Sequence, residues 1–316
     1  MAREAVILLN MGGPNNLEEV EMFLKNMFAD KNILTMKSGL IRKFVGGMIV
    51  FNRTESSQEI YRQLGGKSPI VGHTKNLVSK LQEKLGEDVI VDFAMRYTPP
   101  FADEVIERLN VANVQKIYLI PLYPQQSTTT TKSSLEDFEE AYHKSGGDAL
   151  LVEIKHFFEN STYNEAIIES IKESVGSDDY NNFDIIFSAH GLPQKIVDAG
   201  DVYPKHVEKH ITILKKMLSK ENMAFHDVHL AYQSKVGPMA WLKPSLDDKL
   251  KVVRNRGVIV FPIAFTIDNS ETDFELEVEY REIAEELGFK DYRVCRCPND
   301  SELFVDALCE IYKKMS

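Results

Sequence analysis

A histidine and a row of glutamates are the residues of this chain whose types and spacing could do chemistry. The histidine, His190, stands in the stretch Asp184 to Pro193, DIIFSAHGLP. Ile185, Ile186 and Phe187 form a short apolar run of the kind carried by a parallel strand covered on both faces. Gly191 and Pro193 forbid that strand from continuing. The sequence therefore predicts Ser188 and His190 on the loop just past its carboxyl end, the edge at which open α/β sheets bind ligands. An imidazole with an ordinary pKa of about 6.5 can exchange a proton near neutral pH, or it can merely cap a turn. The glutamates follow the apolar run Gly257 to Phe265, in TIDNSETDFELEVEY. Asn269 or Ser270 can cap a helix there, with Asp273 three residues beyond Ser270 as its partner. Glu271, Glu275 and Glu279 then fall at i, i+4 and i+8, on one helical face. Like charges so spaced cost roughly 0.2 to 0.5 kcal/mol per pair. An acidic first turn set against the helix dipole accounts for Glu271 and Asp273 but leaves Glu279, two turns in, unexplained.

Positioning these residues falls to two series of strands and helices. Apolar strand candidates at Ala5 to Leu9, Val89 to Phe93, Lys116 to Leu122 and Leu150 to Ile154 alternate with amphipathic stretches. A second set runs Asp184 to Phe187, Val228 to Ala231, Gly257 to Phe265 and Asp291 to Val294. This is the pattern of parallel βαβ sheets. The two sets match each other: IYLIPLYP lies over VIVFPIAF with Pro121 against Pro262, FAMRYTPP over LAYQSKVGP, and VILLNMGGP over IIFSAHGLP. The expected fold is α/β, two similar doubly wound parallel-sheet lobes facing across a cleft. The N-terminal lobe is expected over residues 1–155, with an insertion at about 30–70, and the C-terminal lobe over 156–316. Within the insertion, LTMKSGLIRKFVGGMIVF (Leu34 to Phe51) mixes Met36, Leu40, Ile41 and Phe44 with Lys37, Arg42 and Lys43. A basic, apolar segment interrupted by glycines reads either as a core helix or as a lip over a large apolar ligand that doubles as a membrane-surface contact. Arg96 and Tyr97 are expected at the carboxyl edge of the second strand. The run Ser127 to Ser134 offers hydroxyls and a helix N-terminus suited to a carboxylate or phosphate. Trp241, the only tryptophan, lies in a Pro- and Gly-rich loop as a stacking wall or a core plug.

Composition narrows the partners. The 316 residues are 43% hydrophobic, with a formal net charge of −11 and a pI near 5.3, which argues against nucleic acid. No apolar run approaches the roughly 20 residues of a membrane span, and MAREAVILLN lacks the pattern of a signal peptide. The expected location is the cytoplasm. Cys295, Cys297 and Cys309, an odd number clustered late in the chain, suit reduced thiols, and a cluster would need a fourth ligand. LLNMGGP lacks the spacing of a phosphate cradle, and neither Ser188 nor Ser234 stands in a GxSxG elbow.

Taken in order, LNMGGP, LGGKSPI, the Arg96–Tyr97 pair, the Ser/Thr run ending in SSL, FSAHGLP, YQSKVGPMAWLKP and PIAFTIDNSETDFELEVEY resemble the segments of the ferrochelatases, from about Val6 to Tyr280. The resemblance implies Rossmann-like, chelatase-like lobes and insertion of ferrous iron into protoporphyrin IX, forming protohaem and releasing two protons. It implies that His190 and Glu271 are central, as proton acceptor or as ligands to the incoming metal, with Glu275 and Glu279 completing a ladder for protons or hydrated iron. Porphyrin contacts are implied for Met11, Arg53, Arg96, Tyr97, Ser133, Ser134 and Trp241. Met36, Leu40, Ile41 and Phe44 form the lip, which would also touch the inner face of a membrane. Met11 is similar to members using protoporphyrin IX, whereas some that use coproporphyrin III carry tyrosine. Asn269 stands where animal members have a second histidine. The cluster cysteine near Thr128 and the cysteine-rich C-terminal extension are missing, so no iron–sulfur cluster and no resident cofactor are expected, iron being a substrate. A monomer is expected. A coproporphyrin III enzyme, a cobalt chelatase and a tetrapyrrole carrier are the alternatives.

Overall fold

A computed structural model describes residues 3–235, 237, 239–253 and 257–316. The chain packs as two units, Met1–His156 with Leu308–Ser316, and Phe157–Ala307.

In the first unit β1 (Glu4–Asn10), β2 (Val89–Met95), β3 (Lys116–Pro121) and β4 (Leu150–Glu153) form one parallel sheet in the order β2-β1-β3-β4. β1 is central, which is why AVILLN is buried without alternation. On one face Ile7, Leu9 and Leu119 pack against Val105, Ile106 and Phe138. The last nine residues belong here although the sequence division assigned them to the second lobe. Tyr312 packs edge-on against Tyr118 at 4.9 Å and its hydroxyl donates to Glu4 at 2.6 Å.

In the second unit β5 (Phe183–His190), β6 (Asp227–Gln233), β7 (Gly257–Pro262) and β8 (Tyr292–Val294) repeat the arrangement as β6-β5-β7-β8. Each strand takes the place of its sequence counterpart, and Pro121 and Pro262 each end the third strand of their sheet. Having no amide hydrogen, a proline is a natural end to a ladder. β5 runs further than expected. Its pairing with β6 persists to His190 opposite Gln233, so Ser188 and His190 lie inside the strand rather than on the loop beyond it. Gly191 follows with its amide on Gln233 O at 2.9 Å, and a Cβ there would meet that carbonyl at 2.7 Å. Only glycine allows so close an approach.

Two helices also depart from expectation. The acidic stretch Glu271–Glu279 is a π-helix, its winding marked by Tyr280 N–H bonding to Glu275 O five residues back. It is entered through Asn269, whose Oδ1 accepts the Glu271 amide at 2.8 Å. Ser270 makes no side-chain cap, and Asp273 pairs instead with Arg296 at 3.1 Å. In the insertion, Gly39–Gln63 is one unbroken 25-residue helix capped by Ser38. Gly46 does not break it. A Cβ at that position would meet the Phe28 carbonyl at 3.0 Å, so the glycine permits a close helix approach. Leu40, Phe44, Met48 and Phe51, spaced for one face, are exposed, Leu40 at 83% and Phe51 at 86%. Val50 and Tyr61 of the same helix are buried with Val20, Phe23 and Tyr97, so the helix lends part of its surface to the core and leaves an apolar face open. Among the described residues no helix is long and apolar enough to cross a membrane.

Candidate active site

His190 ends β5 at the carboxyl edge of its sheet, and the π-helix presents Glu271 to it. His190 Nδ1 and Glu271 Oε2 are 2.8 Å apart. The histidine backbone is pinned by Tyr203, whose hydroxyl donates to His190 O at 3.0 Å, and Phe265 lies edge-on to the imidazole at 6.4 Å. Nε2 has no hydrogen-bond partner among the described residues, and the side chain keeps 37% of its exposure. One ring nitrogen is therefore held by a carboxylate and the other is available.

The row continues through residues that sequence reasoning passed over. Ser234, just past β6, donates its amide to Glu275 Oε1 at 2.8 Å, and its hydroxyl lies 2.5 Å from Glu275 Oε2 and 3.2 Å from Glu271 Oε2. Gln233 Nε2 donates to Glu275 at 3.3 Å and its Oε1 accepts from Ser188 at 2.7 Å. Glu279, two rungs out, is exposed and lines a cavity of about 340 Å³ with Lys235, Asp247, Glu282 and Glu286. The acids thus grade from the interior to solvent. The repeat held a signal for the missed pair, because Gln233 and Ser234 lie over Arg96 and Tyr97 of the first lobe.

Burial acts on each of these groups, and the neighbours decide the outcome. For His190 burial pushes the pKa down, but the Glu271 charge and hydrogen bond, aided by Glu275, leave it above its ordinary value. Burial raises Glu271, yet His190 and the Ser234 bond bring it below the usual carboxylate range. For Glu275 burial and the Glu271 charge outweigh the Ser234 bonds and the His190 charge, so it rises to about 7. Burial and Glu282 raise Glu279. The row therefore holds an ionised carboxylate against the imidazole and, behind it, a carboxyl that exchanges its proton near neutrality.

Trp241 is half-buried beside this site, bridged to Pro193 and 3.4 Å from where a Gly191 Cβ would stand. Val236 and Pro238 of its loop lie outside the described residues. Asn269 is buried and spends its side chain on Glu271 N and Ile267 O.

Three of the other predicted residues, Arg96, Tyr97 and Ser133, meet in the first unit around an aspartate the sequence did not single out. Asp30, buried, accepts from the Tyr97 hydroxyl at 2.8 Å and from Ser133, and lies 3.6 Å from Arg96. Arg96 also bonds Ser133 at 3.1 Å and Asp137 at 3.0 Å. Tyr97 is only 1% exposed, with burial and the Asp30 charge holding its pKa well up, so it is a core residue and not an open wall. Ser133 and Ser134 are likewise buried, Ser134 on the Tyr123 hydroxyl at 3.1 Å. Met11 packs partly buried beside Tyr97, and Arg53 stands exposed on the long helix.

Comparison with known proteins turns this geometry into an assignment. A ferrochelatase family model matches residues 3–316. The chain belongs to the ferrochelatase family. It is 70% identical over 315 residues to a ferrochelatase of Sulfurimonas denitrificans, covering 100% of both chains, and 52% identical to one of Nitratiruptor sp., covering 99% of this chain and 100% of that one. Among solved structures, SirB from Bacillus subtilis with Fe3+ shares the fold at a TM-score of 0.60 and 10% identity, over 99% of this chain and 95% of that one. CbiX, described as the terminal enzyme of sirohaem biosynthesis in denitrifying bacteria, does so at a TM-score of 0.53 and 11% identity, over 99% of each. The family assignment makes the chain an enzyme, a metal chelatase classed as a lyase, and the chelatase fold agrees with the two repeated parallel sheets.

Proposed function

We propose that this ferrochelatase inserts ferrous iron into protoporphyrin IX, with His190 as acceptor of the pyrrole protons. The observation that carries the reading is the 2.8 Å contact between His190 Nδ1 and Glu271. Metalation replaces two N–H bonds with bonds to iron, and both protons must leave. With Nδ1–H donated to an ionised Glu271, the lone pair of His190 sits on Nε2, where a porphyrin N–H would be met. The imidazolium formed is stabilised by the same carboxylate, the general-base arrangement worth typically 10²–10⁴ in rate. Protons then pass outward along Glu271, Glu275 and Glu279. Glu275, at about 7, is suited to hold a proton briefly.

The choice of protoporphyrin IX rests on Met11, an apolar residue packed by Tyr97. The exposed Arg53 is the group left for a propionate, since Arg96 already faces two carboxylates. We read Trp241, half-buried near His190, as apolar area for the ring, and within the first unit the exposed face of Gly39–Gln63 as a separate apolar surface. The same face, beside Lys37 and Lys43, makes a peripheral contact with an anionic membrane. No iron–sulfur cluster takes part in this reading. All three cysteines are buried thiols, with burial lifting Cys295 to about 12 and Cys297 well up. The enzyme works as a monomer at the cytoplasmic side.

Anaerobic absorbance of the chain with ferrous iron and either porphyrin tests this. Many turnovers with protoporphyrin IX are expected. Turnover with coproporphyrin III alone reverses the substrate assignment, and stoichiometric binding without metalation defeats the enzymatic one.

A further inference from the structure

Among the described residues, Ser234 is the one whose hydrogen bonds reach two rungs of the acidic row. Its backbone is left-handed, with φ at 64°, a region that asparagine, aspartate and glycine enter more readily than serine. That conformation turns both of its donors toward one place. The amide reaches Glu275 Oε1 at 2.8 Å while the hydroxyl stands 2.5 Å from Glu275 Oε2 and 3.2 Å from Glu271 Oε2. Glu275 is thus gripped at both oxygens by a single residue, and the oxygen of Glu271 that faces Ser234 is the one that holds His190. Two carboxylates left adjacent in a half-buried site would separate, because like charges repel more strongly away from water. A hydroxyl placed between them is both donor and acceptor, so it tolerates either carboxylate with or without its proton.

We propose that Ser234 is a positioning residue for iron insertion, its left-handed backbone clamping Glu275 so that Glu271 stays in register with His190. The proposal rests on the metalation reading above and adds a residue to it. The neighbouring Gln233 does not supply this contact, since of the two acids it bonds Glu275 and spends its oxygen on Ser188.

The test uses the full-length enzyme under anaerobic steady-state conditions with ferrous iron and protoporphyrin IX, alongside thermal unfolding. Ser234→Gly keeps the amide and relieves the backbone while removing only the hydroxyl. Its kcat is expected to fall about ten- to a hundredfold, the range of a lost hydrogen bond to a charged group. KM for the porphyrin should stay within twofold and the unfolding temperature should not drop. In a Glu275→Gln background the same substitution should cost less than it does in the wild type, because the two changes share the Glu275 contact and only the hydroxyl's reach to Glu271 is left to lose. Wild-type kcat in Ser234→Gly, a loss confined to porphyrin KM, or penalties that simply add overturns the proposal while leaving the function intact. A wild-type chain that metalates no porphyrin overturns both.

Discussion

Glu275→Gln should make the protein more stable at alkaline pH and leave it almost unchanged in acid. Burial and Glu271 lift this carboxyl from 4.5 to about 7. In the unfolded chain it ionises near 4.5. Between those values the unfolded state has lost a proton that the folded state keeps, so native stability falls as pH rises through the window and the full cost is present above pH 7. At about 1.36 kcal/mol per pH unit the penalty is on the order of 3 kcal/mol at pH 8 and below 1 kcal/mol at pH 5. Glutamine removes it. The amide still accepts one Ser234 bond and loses the other at about 1 kcal/mol, a cost that does not vary with pH. The pH dependence of the gain is therefore cleaner than its size: variant minus wild type should grow by about 2–3 kcal/mol from pH 5 to pH 8. For a unit of this size that is roughly 5 °C or more in unfolding temperature. Calorimetric scans of both proteins across that range measure it. Parallel curves would show that Glu275 ionises at an ordinary pKa and would remove the basis for its part in proton exit.

His190→Ala should retain porphyrin binding and lose at least 100-fold in kcat; loss of binding with unchanged turnover per bound ring, read by absorbance titration, would refute its role. Glu271→Gln should fall as severely, because an amide cannot hold the imidazole as its cation. Replacing Leu40, Phe44 and Phe51 by serine should abolish flotation with anionic liposomes without lowering the unfolding temperature, since all three are exposed; flotation that persists would place the membrane contact elsewhere. Asp30→Asn should destabilise the chain by about 2 kcal/mol in urea unfolding, as it leaves Tyr97, Ser133 and Arg96 sharing one neutral acceptor; an unchanged midpoint would show that the cluster contributes no net stability.

The fold was legible where local pattern and repetition agreed. The apolar runs at Ile7 and Ile185 are continuous because both faces of a parallel strand are covered, and the matched Pro121 and Pro262 set the two halves in one register before any pairing was visible. What escaped depended on distance in sequence or on a one-residue choice. Asp30 reads as a lone acid in ADKN, and its partners lie 67 and 103 residues further on. A π-helix and an α-helix differ by one residue in where each amide reaches, and the row Glu271, Glu275 and Glu279 suits either, so periodicity could not separate them. Gly46 looked like a break because the contact that needs it, the Phe28 carbonyl, belongs to another helix. The site divides the same way. Histidine and acids were visible as types, whereas the order among them comes from Ser234, a small polar residue with a left-handed φ that no propensity favours. Ser234 takes a left-handed backbone where its two donors fall on the carboxylates beside His190, an arrangement that the acids alone do not disclose.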